Sequence, residues 1–412
     1  MRRLPRSPVK IVITGHVDHG KSTLIGRLLL DTRSLPDERI RELEHLGKQM
    51  GKDAELAFLV DQLREERERL ATHDTTQRRF RYRGKEFVII DTPGHAEFIR
   101  GMLTGATQAD AAVLVIDARE GIQDQTRRHF SILRLIGIRD IIVVVNKMDT
   151  VSYSQAVFDR LAANARSLCT TATSGLIAVI PASARNGDNI LTRSKNLSWY
   201  RGKTLGGLLN ELAQSSVSAG NRLRFAVQDV YQFDGHPLCV GRVESGCLRM
   251  GQAVAAFPSR VQFTVRRIVT WPQRRRSQAR AGENIGIVFK EGSAPQRGDM
   301  LAGQREKVSL RTQALASVFW LADAPWRSNE TLLLRCATQK VEATLLALAQ
   351  RLDTSSLQVL TDTEIILKKH EIGQVNMEFS APLILEHLAT IPGLARFTLE
   401  RAGQICGIGV IP

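Results

Sequence analysis

The run Gly15-His16-Val17-Asp18-His19-Gly20-Lys21-Ser22-Thr23 constrains this chain more than any other part of it. It follows the apolar segment Val9-Lys10-Ile11-Val12-Ile13-Thr14 and precedes Leu24-Ile25-Gly26-Arg27-Leu28-Leu29-Leu30, whose spacing predicts a helix. Strand, Gly-rich turn and helix in this order give the context in which G-x-x-x-x-G-K-[ST] cradles phosphates through backbone N–H groups. Gly15 and Gly20 permit close approaches that a Cβ would block. The positive end of the helix that starts near Lys21 adds to the attraction for anions. Lys21 is expected to reach the β- and γ-phosphates, and Ser22 to offer its hydroxyl to Mg²⁺. The whole run from Gly15 to Thr23 is the expected phosphate site.

Three later segments extend the site. Glu86-Phe87-Val88-Ile89-Ile90 reads as a buried strand ending in Asp91-Thr92-Pro93-Gly94-His95. At that place the Asp91 carboxylate is expected to hold Mg²⁺ through water, and the Gly94 N–H to meet the γ-phosphate and lose it after hydrolysis. The strand Ile141-Ile142-Val143-Val144-Val145 leads into Asn146-Lys147-Met148-Asp149. Asp149 can accept from both the ring N–H and the amino group of guanine. Adenine presents the wrong pattern and would leave a buried acceptor unpaired. Asn146 and Lys147 are expected to brace the base and the neighbouring loop. Ser183-Ala184, after the strand Ala178-Val179-Ile180, fits a loop that offers a backbone N–H to the guanine oxygen. The expected ligands are GTP and Mg²⁺.

Apolar strands such as Ala111 to Asp117 alternate with helical segments, which predicts an α/β domain with a doubly wound, mainly parallel sheet. A charged section from Asp31 to Asp74 reads as two inserted helices. The domain should close with the helix Thr204 to Leu212, and Ser215 to Gly220 reads as a linker. Beyond it the period shortens. Leu223 to Val230, Val261 to Val269 and Ile285 to Phe289 are β-like runs separated by turns such as Asp234-Gly235, and short strands such as Thr331 to Leu334 follow. Two β-barrels are the economical reading. The expected boundaries are residues 1–215, 221–305 and 306–412.

A net charge of +15 favours an acidic partner. Arg274 to Arg280 reads either as a solvated loop or as a docking patch. Arg78, Arg79, Arg81 and Arg83 suggest one face of a strand. No apolar run approaches the ~20 residues of a membrane span. The basic start lacks the apolar core of a signal peptide, so a cytoplasmic protein is expected. Five scattered cysteines with no C-x-x-C pair read as reduced, packed thiols.

With these motifs and two β-domains in this order, the chain resembles the translational GTPase superfamily. Within it the chain is similar to the GTP-hydrolysing subunit of bacterial heterodimeric sulfate adenylyltransferase. That likeness rests on Asp31-Thr32-Arg33, Leu59-Val60-Asp61, Glu66-Arg67-Glu68, Asp124-Gln125-Thr126-Arg127-Arg128-His129 and Trp199-Tyr200-Arg201-Gly202-Lys203-Thr204-Leu205. The resemblance implies a protein that couples GTP hydrolysis to formation of adenosine 5′-phosphosulfate on a small ATP-sulfurylase-type partner. It also implies that His95 orients the attacking water and that Thr72 binds Mg²⁺ and the γ-phosphate. Leu70 stands where the family carries glycine, which would strain a loop needing positive φ and makes Thr75 and Thr76 rival ligands. His16-Val17-Asp18-His19 looks more like elongation factors, so delivery of aminoacyl-tRNA is the alternative, with nucleic acid the less favoured partner. A divergent GTP-binding paralogue with weak hydrolysis is the third reading.

Overall fold

Val9–Gly15 forms β1, buried throughout except at Lys10. Burial on both faces is what a parallel sheet sandwiched between helices demands. A computed structural model describes residues 8–50, 56, 58–62, 76–91, 109–170, 176–215, 222–270, 274–356, 358–360 and 366–412 of the chain. In it β1 lies inside a six-stranded sheet with β2 (Thr76–Tyr82), β3 (Lys85–Asp91), β4 (Ala111–Asp117), β5 (Asp140–Asn146) and β6 (Leu176–Pro181). The strand order is β2-β3-β1-β4-β5-β6, and only the β2–β3 pairing is antiparallel. Ile13 pairs with Asp91 and Gly15 with Val115, so the ends of three strands meet at the start of the phosphate loop.

The helices of the first compact unit include α1 (Lys21–Asp31), α2 (Asp37–Met50), α3 (Asp124–Leu135), α4 (Gln155–Thr170) and α5 (Leu205–Ser215). Alternate residues of β1, namely Val9, Ile11 and Ile13, share a buried cluster with Leu24, Ile25 and Leu28 of α1 and Leu208, Leu209 and Leu212 of α5. Each such side chain contributes ~1.5–3 kcal/mol on burial, so the loop is mounted between two firmly anchored elements. On the edge strand β2, Arg79 and Arg81 are exposed while Phe80 is buried and stacks on Phe87 with ring centroids 4.9 Å apart. The arginine face read from the sequence thus consists of alternate residues, with Arg78 on the opposite side of the pleat.

The second compact unit, essentially residues 218–353 and 358–412, contains both barrels. In the first, Ala253–Phe257, Met300–Gly303, Arg224–Phe233, His236–Ser245, Asn284–Phe289 and Gln262–Thr270 pair in that order, and the last pairs back onto the first. In the second, Thr331–Cys336, Arg396–Arg401, Gln404–Val410, Leu310–Trp320, Glu371–Ile384 and Gln339–Asp353 close in the same way. The second core holds Trp320 stacked on Trp326 at 5.6 Å, both fully buried. The Arg274 to Arg280 run is strand and not loop. Arg274–Arg276 pairs with Gln262–Thr270, Gln278–Arg280 pairs with Cys247–Arg249, and the Arg276 guanidinium donates to Glu283 at 2.7 Å.

Cys239, Cys247, Cys336 and Cys406 are free thiols. Burial pushes the Cys239 and Cys336 thiols up to about 12, which leaves them unreactive. No helix among the described residues is long and apolar enough to cross a membrane.

Within the barrel unit a buried arginine bridges two carboxylates distant from it in sequence. Arg224, fully buried, donates to Glu306 at 2.8 Å, to Glu386 at 2.9 and 3.1 Å, and to its neighbour's carbonyl, Leu223 O, at 2.8 Å. Truncating it leaves two carboxylates facing each other without a cation. Arg224→Ala is expected to lower stability by about 3 kcal/mol in urea unfolding. Arg224→Lys should rescue little of that loss, because one ammonium cannot reproduce the planar fork.

Candidate functional site

The phosphate loop takes its shape from two places where no side chain fits. Gly15 has φ +150°, and a Cβ there would lie 2.3 Å from Val115 O. Gly20, at φ +91°, caps α1, and its Cβ would lie 2.3 Å from the Asn146 side-chain nitrogen. Among the described residues no side chain caps the start of α1, and its first turn has no acidic residue, so the positive end of the helix suits an anion. Lys21 is 5% exposed and donates to Gly15 O at 2.9 Å and His16 O at 2.6 Å. These bonds fold the lysine back over the loop that its charge would share with phosphates. Asp18 adopts φ +59°, Ser22 is buried in the first turn of α1, and Thr23 is half-buried. Asp91 is buried at the carboxyl end of β3, on the strand beside β1. Thr72, Gly94 and His95, with Leu70 and Thr75, lie outside the described residues.

The segment expected to meet the base is built around Asn146, which is 2% exposed. Its Nδ2 donates to His19 O at 2.9 Å, and its Oδ1 accepts from Ala184 N at 2.9 Å. The phosphate loop and the Ser183-Ala184 loop are therefore joined through one amide. The Ala184 N–H is engaged by Asn146, and Ala184 O accepts from the Arg27 guanidinium at 3.1 Å. Buried Ser183 accepts from Asn186 N at 3.2 Å and shapes the same loop. Asp149 follows in a 3₁₀ turn, Met148–Val151. Its Oδ1 is buried with no hydrogen-bond partner among the described residues. A buried carboxylate oxygen without a donor is costly. It leaves one acceptor open to an N–H donor of a ligand.

The loop after β4, which the motifs did not single out, binds this frame together. Asp117 accepts from Lys147 Nζ at 2.7 Å and from Arg119 N at 2.7 Å. Burial works to raise its pKa, but the Lys147 and Arg119 bonds prevail and hold the carboxyl below its usual range. The Arg119 guanidinium donates to Thr150 O at 3.0 and 3.3 Å, one residue past Asp149. Glu120 lies 3.1 Å from Nε2 of the fully buried His19, whose Nδ1 is 3.3 Å from Val115 O. Burial lowers the pKa of His19, against the opposing pull of Val115 and Glu120. His16 Nδ1 meets Gln125 Oε1 at 2.7 Å. The available signal was Asp117 itself, a carboxylate at the carboxyl end of a parallel strand, where open α/β sheets bind ligands.

Residues 6–227 match the elongation factor Tu GTP binding domain, and residues 313–412 match the GTP-eEF1A C-terminal domain-like family. The chain belongs to the translational GTPase superfamily and carries its GTP-binding domain. It is 37% identical over 389 residues to sulfate adenylyltransferase subunit 1 of Yersinia enterocolitica, covering 92% of this chain and 80% of that protein. It is 36% identical over 425 residues to elongation factor 1-alpha of Aeropyrum pernix, covering 98% and 96%.

Two measurements check this geometry. Asp149→Asn replaces an acceptor with a donor. Guanine nucleotide affinity should fall by about 3 kcal/mol, roughly 100-fold, while xanthine nucleotides gain, as read by nucleotide competition. The second concerns His129, fully buried with Nδ1 3.0 Å from Thr14 Oγ1. Burial, with help from the nearby Lys21 charge, takes its pKa from 6.5 down to about 3. Between those values the unfolded chain binds the extra proton, so stability falls as pH drops below 6.5. The loss should reach about 2 kcal/mol at pH 5, and His129→Asn should flatten that part of the pH profile of urea midpoints.

Proposed function

We propose that this chain is the GTP-hydrolysing subunit of a two-subunit sulfate adenylyltransferase. In this reading GTP hydrolysis drives formation of adenosine 5′-phosphosulfate and pyrophosphate from ATP and sulfate on a small catalytic partner, in the cytoplasm. The nucleotide half of the proposal is carried by the buried oxygen of Asp149 that has no partner among the described residues. The coupling half is supported by the 37% identity to a protein named sulfate adenylyltransferase subunit 1. Residues 1–215 would form the GTP-binding part, with barrels at 221–305 and 306–412.

The roles follow from the chemistry. The run Gly15 to Thr23 holds the phosphates through its N–H groups, and Lys21 stabilises charge that spreads over the γ-phosphoryl oxygens. Asn146 and Lys147 brace the base, with Ser183 and Ala184 closing the loop around it. Ser22, Thr72 and Asp91 are hard oxygen donors of the kind Mg²⁺ takes, and the metal would neutralise phosphate charge. Gly94 donates to the γ-phosphate and His95 orients the attacking water.

A second reading, an elongation factor that delivers aminoacyl-tRNA, draws on the 36% identity to elongation factor 1-alpha and on the +15 charge. The two separate cleanly in a turnover assay. With the small subunit present, GTP hydrolysis should rise by ~10³-fold or more when ATP and sulfate are added. Lys21→Ala should abolish it. Turnover indifferent to ATP and sulfate, together with salt-sensitive, GTP-dependent retention of charged tRNA on a filter, would replace the first reading with the second.

A further inference from the structure

Behind the nucleotide site, between α3 and α4, lies a cavity of about 470 Å³. Such a volume is within the range of small-molecule sites. The loop after β4 forms one wall, Arg127 of α3 another, and Arg160 and Asn164 of α4 a third. Among the described residues three arginines line it, with Glu120 as the one carboxylate. Among the described residues neither Arg127 nor Arg160 has a carboxylate partner. Buried Leu161 and Leu168 back the cavity and lower the local dielectric, which strengthens the field of the guanidinium groups. Guanidinium forks match tetrahedral oxyanions in charge and in geometry.

Two side chains of this wall reach the nucleotide frame from opposite ends. Glu120 meets His19, whose carbonyl is held by Asn146. Arg119 holds Thr150 O, next to Asp149. Whatever enters the cavity therefore acts on groups that position both the phosphate loop and the base-recognition turn.

We propose that this cavity is an effector site for a small phosphate- or sulfate-bearing anion, which weakens guanine nucleotide binding by driving Glu120 away from His19. The anion sits on Arg127 and Arg160, while Arg119 keeps its hold on Thr150 O. Its charge repels the Glu120 carboxylate, which is already half-exposed and turns to solvent. The phosphate loop then loses its brace at His19. The proposal requires guanine nucleotide binding and is independent of the partner subunit.

Calorimetry on the full chain loaded with GDP tests it, using sulfate, pyrophosphate and AMP as separate probes, with chloride at matched ionic strength as the control for screening. Saturating probe should raise the Kd for GDP by about fivefold or more, and GDP should weaken the probe by the same factor. Which probe binds best separates sulfate, diphosphate and nucleotide as sources. Arg127→Gln with Arg160→Gln should abolish probe binding while GDP affinity without probe stays unchanged. Glu120→Gln keeps an acceptor for His19 but removes the charge, so the probe should still bind and the effect on GDP should vanish. Absence of binding by all three probes overturns the site. Binding that survives the double arginine variant places the anion elsewhere, and binding without any change in GDP affinity overturns the coupling. Failure of GDP binding in the unmodified chain would instead strike the nucleotide assignment.

Discussion

The side-chain amide of Asn146 is the interaction on which the rest of the nucleotide frame depends. It donates to the phosphate loop at His19 and accepts from the loop at Ala184, so two segments distant in sequence are held as one body. Its nitrogen also occupies the space that any side chain at position 20 would need. The glycine in the loop is thus required by the asparagine as much as by phosphate. Buried hydrogen bonds of this kind contribute ~1 kcal/mol each when made, and leaving one partner unpaired costs more than making the bond gains. Rigidity at this point follows from that asymmetry.

Much of this frame was legible in the sequence because its chemistry is local. Gly15 to Thr23 and Asn146 to Asp149 are contiguous runs, and each sits at the end of an apolar strand whose burial leaves little choice of direction. The loop from Asp117 to Gly121 was not legible, because its meaning lies in pairings across the fold. Glu120 finds His19 across 101 residues and Arg119 finds Thr150 across 31. Arg224 was hidden for the same reason. An arginine at the start of an apolar strand gives no hint of carboxylates 82 and 162 residues away. Arg274 to Arg280 misled in the opposite direction, since charge suggested a loop while cross-strand pairing made it sheet.

The same physics explains why a nucleotide site is easier to read than a partner surface. Recognition of guanine needs a few donors and acceptors at fixed spacing, which sequence records directly. Coupling to a partner needs a surface, and surfaces are assembled from residues that are neither adjacent nor periodic. Relatives named for sulfate activation and for elongation match this chain to a similar degree. Both kinds of relative match nearly the whole length of this chain.

The hairpin-like turn bridged between Asp117 and Gly121 touches the phosphate end through Glu120 and the base end through Arg119 and Asp117. A displacement of the turn would therefore reach the groups around the base and those around the phosphates together.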